Sequence, residues 1–202
     1  MYLIIAFVVF LFIIVILFSF PQFSPIPYFP SNIKDLPLIL DALSTHNNQT
    51  VIDLGAGDGI VILKAAEKAY QNKLNTQFIA VEINPVLLLV LYTRCFFHPN
   101  RKNIQIVNTN MFSMDYSSLV TSHHSLITFY IYISPWFIEK TVANITKQME
   151  TFNLVSYFYQ VKCLQKYKEG IKEGVHKIYK YTNDKIQITN NKSGINYKSQ
   201  KI

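Results

Sequence analysis

Asp53-Leu-Gly-Ala-Gly-Asp-Gly59 joins a short apolar run to a segment of helical spacing, and its residue types are those of a ligand-binding turn. Gly55 and Gly57 let the backbone turn sharply and approach a ligand closely, and the helix that follows presents free amides. A nicotinamide-cofactor loop reads G-x-G-x-x-G, so that a pyrophosphate rests on the helix amino terminus. Here Asp53 precedes the glycines, Ala56 separates them and Asp58 follows. Two carboxylates are a poor cradle for pyrophosphate and suit a ligand carrying an ammonium and a sulfonium. S-adenosylmethionine carries both. Glu82 ends the next apolar run, from which a carboxylate can accept hydrogen bonds from both hydroxyls of a ribose.

Alternating strands and helices must hold these residues. The apolar runs at 50–54, 77–83, 104–107, 125–133 and 153–160 read as strands; 60–70, 85–97 and 137–150 have helical spacing. Such alternation predicts right-handed βαβ units, hence an α/β, Rossmann-like fold with a mostly parallel sheet and helices on both faces. Residues 177–181 and 185–189 flank Asn183-Asp184 and read as an antiparallel hairpin at the carboxyl end. Ser31 or Asn32 can cap a helix running to about residue 43.

Residues 1–20 contain no charged side chain, and the first cation is Lys34. At 1.5 Å per residue they would reach roughly 30 Å, the thickness of a bilayer's hydrocarbon core. A cleaved secretory signal would need a basic start and a small-x-small cleavage site, which are missing. The reading is a single transmembrane helix with residues 21–202 on the cytoplasmic face by the positive-inside rule, the mitochondrial inner membrane being the alternative host. A proline-rich spacer over 21–31 leads into one domain over 32–190 and a polar, basic tail over 191–202.

Half of the 202 residues are hydrophobic, which excludes disorder as a description of the whole. Cys95 and Cys163 are too few for a disulfide framework and read as reduced core thiols. The net charge of +7 is concentrated in residues 162–201, where ten lysines meet only Glu169, Glu173 and Asp184. Contact of this segment with anionic lipid is one reading and a solvated tail another. No aromatic-basic platform accompanies the charge, so no nucleic-acid partner is expected. His123-His124 point to opposite faces of a strand, so no metal is expected either.

DLGAGDG, followed by Val81-Glu-Ile-Asn-Pro85 and preceded by Pro27-Tyr-Phe-Pro-Ser31, resembles the membrane-anchored class I S-adenosylmethionine-dependent methyltransferases. These include the lysine methyltransferases of the ATP synthase c subunit and the adenine nucleotide translocase, with their bacterial relatives. The resemblance runs through most of residues 1–182 and implies that Asp53, Gly55, Ala56, Gly57 and Asp58 line the methionine half of the cofactor, with Glu82 on the ribose. It places Asn110 where the family usually has an Asp facing the adenine amino group, with Met111 against the ring and Tyr28 closing over the site.

Ser134, Pro135 and Trp136 follow the fourth strand, where the acceptor should arrive, and with Tyr132 from that strand they form the expected acceptor pocket. Aromatic rings there would attract a methylated ammonium. A single Pro135, with Ser134 in place of an amide or acid, departs from the pattern that holds a planar NH2 and counts against a nucleobase substrate. The expected activity is methylation of a lysine in a membrane-associated protein. A small or lipid-soluble acceptor is the alternative, and a non-catalytic cofactor-binding scaffold is the third reading.

Overall fold

The computed structural model describes residues 1–19, 26–119 and 126–184. Seven strands form one sheet: β1 Gln49–Leu54, β2 Gln77–Glu82, β3 Ile104–Asn108, β4 Leu126–Ile131, β5 Thr151–Tyr157, β6 Lys168–Glu173 and β7 Lys177–Asp184. Their spatial order is β3-β2-β1-β4-β5-β7-β6. The first five strands run parallel, and β7 lies antiparallel between β5 and β6. All six residues of β1 are buried, as expected of a central strand covered on both faces.

The pleat divides the side chains between two apolar layers. Ile52, Leu54, Ile79, Val81, Phe129 and Ile131 point to one, which is closed by α5 (Pro135–Gln148). Val51, Phe78, Ala80 and Val155 point to the other, with α2 (Leu36–Leu43) and α3 (Ile60–Gln71). Ala65, Ala66 and Ala69 are fully buried and let α3 approach the sheet closely. α4 (Pro85–Phe96) is capped by Asn84, whose side chain accepts from the Val86 and Leu87 amides.

α1 is described over Tyr2–Ser19, 18 residues, about 27 Å against about 30 Å for a hydrocarbon core. Among the described residues no helix is long and apolar enough to cross a membrane, so the transmembrane span expected over 1–20 is not met by this helix. α1 lies against α4, and its described side chains are almost all exposed.

The antiparallel hairpin exists but turns earlier than the sequence suggests. Gly174 to His176 make the turn, Asn183 and Asp184 belong to β7, and 185–189 lie outside the described residues. β6 reads KEGIKE, an edge strand without alternating apolar residues, so no periodicity announces it. A Cβ at Gly174 would collide with the Asp35 carboxylate, which explains the glycine there. α5 begins at Pro135 rather than near 137, because proline suits the first helical position. Cys163 is exposed rather than in the core, and Cys95 is half-buried. His123 and His124 lie outside the described residues.

Candidate cofactor and acceptor site

Strand order reverses between β1 and β4, whose last residues, Leu54 and Ile131, are paired. Loops leaving adjacent strands there diverge and open a crevice, the usual ligand position in such sheets. The glycine loop leaves β1 on one side, and Tyr132 and Ile133 leave β4 on the other. Gly55, Gly57 and Gly59 all have positive φ. Gly57 is also confined from above: a Cβ there would lie 2.6 Å from a ring carbon of Tyr28, so tyrosine and loop meet as only glycine allows. The Gly55 and Ala56 amides both donate to the Val81 carbonyl at 2.9 Å, which ties the loop to β2.

Glu82 connects the same two elements through its side chain. Oε2 accepts from the Gly57 amide at 2.8 Å, and Oε1 from the Ile83 and Asn84 amides, each at 2.8 Å. A carboxylate has about four acceptor positions, so roughly one remains for a ligand, fewer than the two ribose hydroxyls anticipated. Asp53 is buried beside it. Burial, then the charges of Glu82 and Asp58, push the Asp53 carboxyl up to about 8.

Asp58 lines the crevice and also holds the loop in place. Its Oδ2 is 2.6 Å from Nη1 of Arg94, which also donates to the Asp58 carbonyl at 2.6 Å, and its Oδ1 accepts from the Ile60 amide at 3.2 Å. The carboxylate therefore fastens α4 to the glycine loop. Tyr28 hydrogen-bonds the same side chain; burial and the Asp58 charge raise its phenol to about 12, so it stays neutral. Asn110 is engaged locally: its side-chain oxygen accepts from the Phe112 amide at 2.9 Å and closes a local turn. It does not line the crevice, whereas Met111 does.

Three hollows meet at this place. One of about 50 Å³ is lined by Gly55, Glu82, Ile83, Leu87 and Met111, one carboxylate among apolar side chains and a glycine. A second, about 20 Å³, touches Asp53, Gly55, Ala56 and Asp58. A third, about 350 Å³, is walled by Tyr132, Ser134, Pro135, Trp136, Phe158 and Tyr159. Phe29 and Tyr132 line all three, and Tyr28 the first two. The expected cofactor residues other than Asn110 and Gly57, which lies under the Tyr28 ring, are thus brought together with the expected acceptor residues, with Phe29 and Tyr132 as the partition. Trp136 stands at the mouth, 85% exposed. Tyr132 is fixed edge-on against Tyr157, ring centroids 4.8 Å apart.

Sequence reasoning missed Ile83, Phe29, Arg94, Phe158 and Tyr159. Ile83 and Phe29 adjoin residues already singled out. Arg94 follows Leu87 and Leu91 at i+7 and i+3, a spacing that puts it on the inner face of α4. Phe158 and Tyr159 follow β5, and no local signal marks them.

Among the described residues no group of three or more His, Cys, Asp or Glu side chains could hold a metal ion. No protein-family model matches the chain, and no curated protein matches it. Solved structures do. An RNA methyltransferase from Salinibacter ruber, in complex with S-adenosyl-L-homocysteine, is 16% identical over 78% of this chain and 95% of that one, with TM-score 0.62. A precorrin-6y C5,15-methyltransferase from Geobacter metallireducens is 15% identical over 76% and 87%, TM-score 0.53. The rRNA methyltransferase aviRa from Streptomyces viridochromogenes is 11% identical over 79% and 87%, TM-score 0.54. At these identities the likeness establishes the architecture: the chain has a Rossmann-like methyltransferase fold with a mostly parallel seven-stranded sheet.

Proposed function

We propose that the chain is an S-adenosylmethionine-dependent methyltransferase whose acceptor is a lysine side chain of a membrane-associated protein. The observation that carries the cofactor is the acidic crevice at the switch point. Among the described residues Asp53, Asp58 and Glu82 converge there with one cation, Arg94, paired to Asp58. The excess of carboxylate suits an ammonium and a sulfonium. Ile83, Leu87 and Met111 beside Glu82 give an apolar slot for the base, Gly55 keeps the loop free of a side chain beside that slot, and Gly57 lets Tyr28 lie close over the loop.

When bound, the cofactor supplies a methyl group on a sulfonium, so catalysis rests mainly on placing the acceptor in line, worth roughly 7–11 kcal/mol. Asp53 opposes the ammonium, Glu82 takes a ribose hydroxyl, and Tyr28 with Phe29 roofs the crevice.

A lysine must arrive neutral, which costs about 4 kcal/mol from its ordinary pKa at neutral pH. Among the described residues the third hollow has no charged wall, and its aromatic rings lower that cost by disfavouring the bare ammonium while attracting a methylated one. The membrane location of the acceptor is supported by the exposed, wholly apolar side chains of α1.

Calorimetry of the full-length protein with S-adenosylmethionine tests the cofactor, with Asp53→Asn and Glu82→Gln expected to weaken binding about tenfold or more, in line with a charged hydrogen bond lost. Failure of the folded protein to bind would leave only the scaffold reading. Labelled methyl from the cofactor, added to membranes, should then appear in protein lysine. Label in a protein-free lipid extract would replace the acceptor by a lipid-soluble one. Label in RNA would replace it by the substrate class named for two of the structural neighbours.

A further inference from the structure

α4 has two apolar faces where a surface helix should have one. Leu87, Leu88 and Leu91 are buried against the domain, so the outer face should be polar. Instead Leu89 is 69% exposed, Tyr92 51% and Phe96 64%, with Phe97 just past the helix at 79%. The first three recur at i, i+3 and i+7 and form one stripe along the helix. Contiguous apolar surface of this kind marks an interaction site.

Two observations say what covers it. The first is α1, which lies against the same helix and exposes apolar side chains from Met1 to Ile16. Whatever covers an all-apolar helix extends over the adjoining stripe. The second is charge: residues 83–114 contain no Asp or Glu. The Arg101 guanidinium stands 5.8 Å from the Phe96 ring centroid, and Lys102 is exposed beside it. Apolar residues that end in aromatic rings and exposed cations match the layering of a bilayer surface, acyl chain below and headgroup above. A second copy meeting this face isologously would bring the same cations together with no acid in the segment to answer them.

We propose that the outer face of α4, formed by Leu89, Tyr92, Phe96 and Phe97, rests on an anionic lipid bilayer. Arg101 and Lys102 meet the headgroup phosphates, and α1 enters the apolar layer alongside. The domain then has a second membrane contact, built into its fold, besides the amino-terminal helix.

Tryptophan quenching by brominated phosphatidylcholine tests this without reading catalysis, so its failure leaves the proposed reaction untouched. The full-length protein carrying Phe96→Trp and Trp136→Phe is bound to vesicles of phosphatidylglycerol and brominated phosphatidylcholine. A control carries Ile171→Trp and Trp136→Phe, with its reporter on β6 at the far edge of the sheet. The reporter at 96 should lose about half of its emission, as expected at the acyl–headgroup boundary, and the control should keep its emission. An unquenched reporter at 96 on protein that sediments with the vesicles would overturn the proposal. Equal quenching at both positions would overturn it as non-specific adsorption. Blue-shifted, unquenched emission at 96 without lipid would assign the face to a second copy. Replacing phosphatidylglycerol by phosphatidylcholine should weaken quenching at 96; no change would overturn the headgroup contact of Arg101 and Lys102.

Discussion

Asp53 carries the clearest pH signature. Its carboxyl is raised from an ordinary 3.8 to about 8, by burial first and then by Glu82 and Asp58. Between those values the folded chain holds a proton that the unfolded chain has released, so this residue makes stability fall as pH rises through that window. A bound ammonium acts in the opposite sense: it favours the carboxylate, lowers the pKa and expels the proton. Cofactor affinity should therefore rise from pH 6 to 8, by up to about tenfold per unit. Calorimetry in two buffers of different ionisation enthalpy would read the released proton, and Asp53→Asn should abolish both effects. Absence of proton release by the wild type would remove the ion pair from the site. The glycine loop was legible from its local spacing and Glu82 from its place at the end of the next apolar run, whereas Met111 came from the family resemblance. The engagement of Asp58 was not legible, because it depends on how α4 is rotated about its axis and where that rotation puts Arg94.

Among the elements, the least legible is the β6–β7 hairpin, and one buried acid explains how it is held. Asp35, just before α2, accepts from the Tyr157 hydroxyl at 2.7 Å and from the Val175 and His176 amides at 2.6 and 2.9 Å. Burial pushes its carboxyl up, but the hydrogen bonds outweigh it and hold the group below its ordinary value. Its contribution is therefore present above about pH 4 and lost as pH falls through the lowered value. Asp35→Asn aims an N–H at donors and should cost about 3 kcal/mol, read as a lower denaturant midpoint. The variant should also lose less stability than the wild type on acidification. An unchanged midpoint would mean that the turn is held by other contacts. β1 to β5 and their helices could be read from apolar runs, because central strands and packed helix faces leave a periodic trace. β6 is polar and exposed, and its pairing comes from a contact between residues far apart in sequence.

At the scale of the whole molecule, α4 is the piece that touches everything. Its inner side fills the space over Gly59 with Leu91, where a Cβ would collide, and grips Asp58 through Arg94. Its outer side is the proposed lipid-facing stripe. The rod is a little over three turns long, too short to bend between its two faces. Lipid and cofactor are then two ligands of one helix, and their affinities are linked to the extent that each favours the same position of that helix against the glycine loop. If vesicles tighten cofactor binding by some factor, the cofactor must tighten vesicle binding by that same factor. A coupling of about 1 kcal/mol, roughly fivefold, is the expected size. Cofactor titrations with and without vesicles, set beside vesicle partitioning with and without cofactor, should return equal ratios. Arg94→Ala cuts the joint and should bring both ratios toward one. Through that joint the bilayer would be an activator of the enzyme as well as its address.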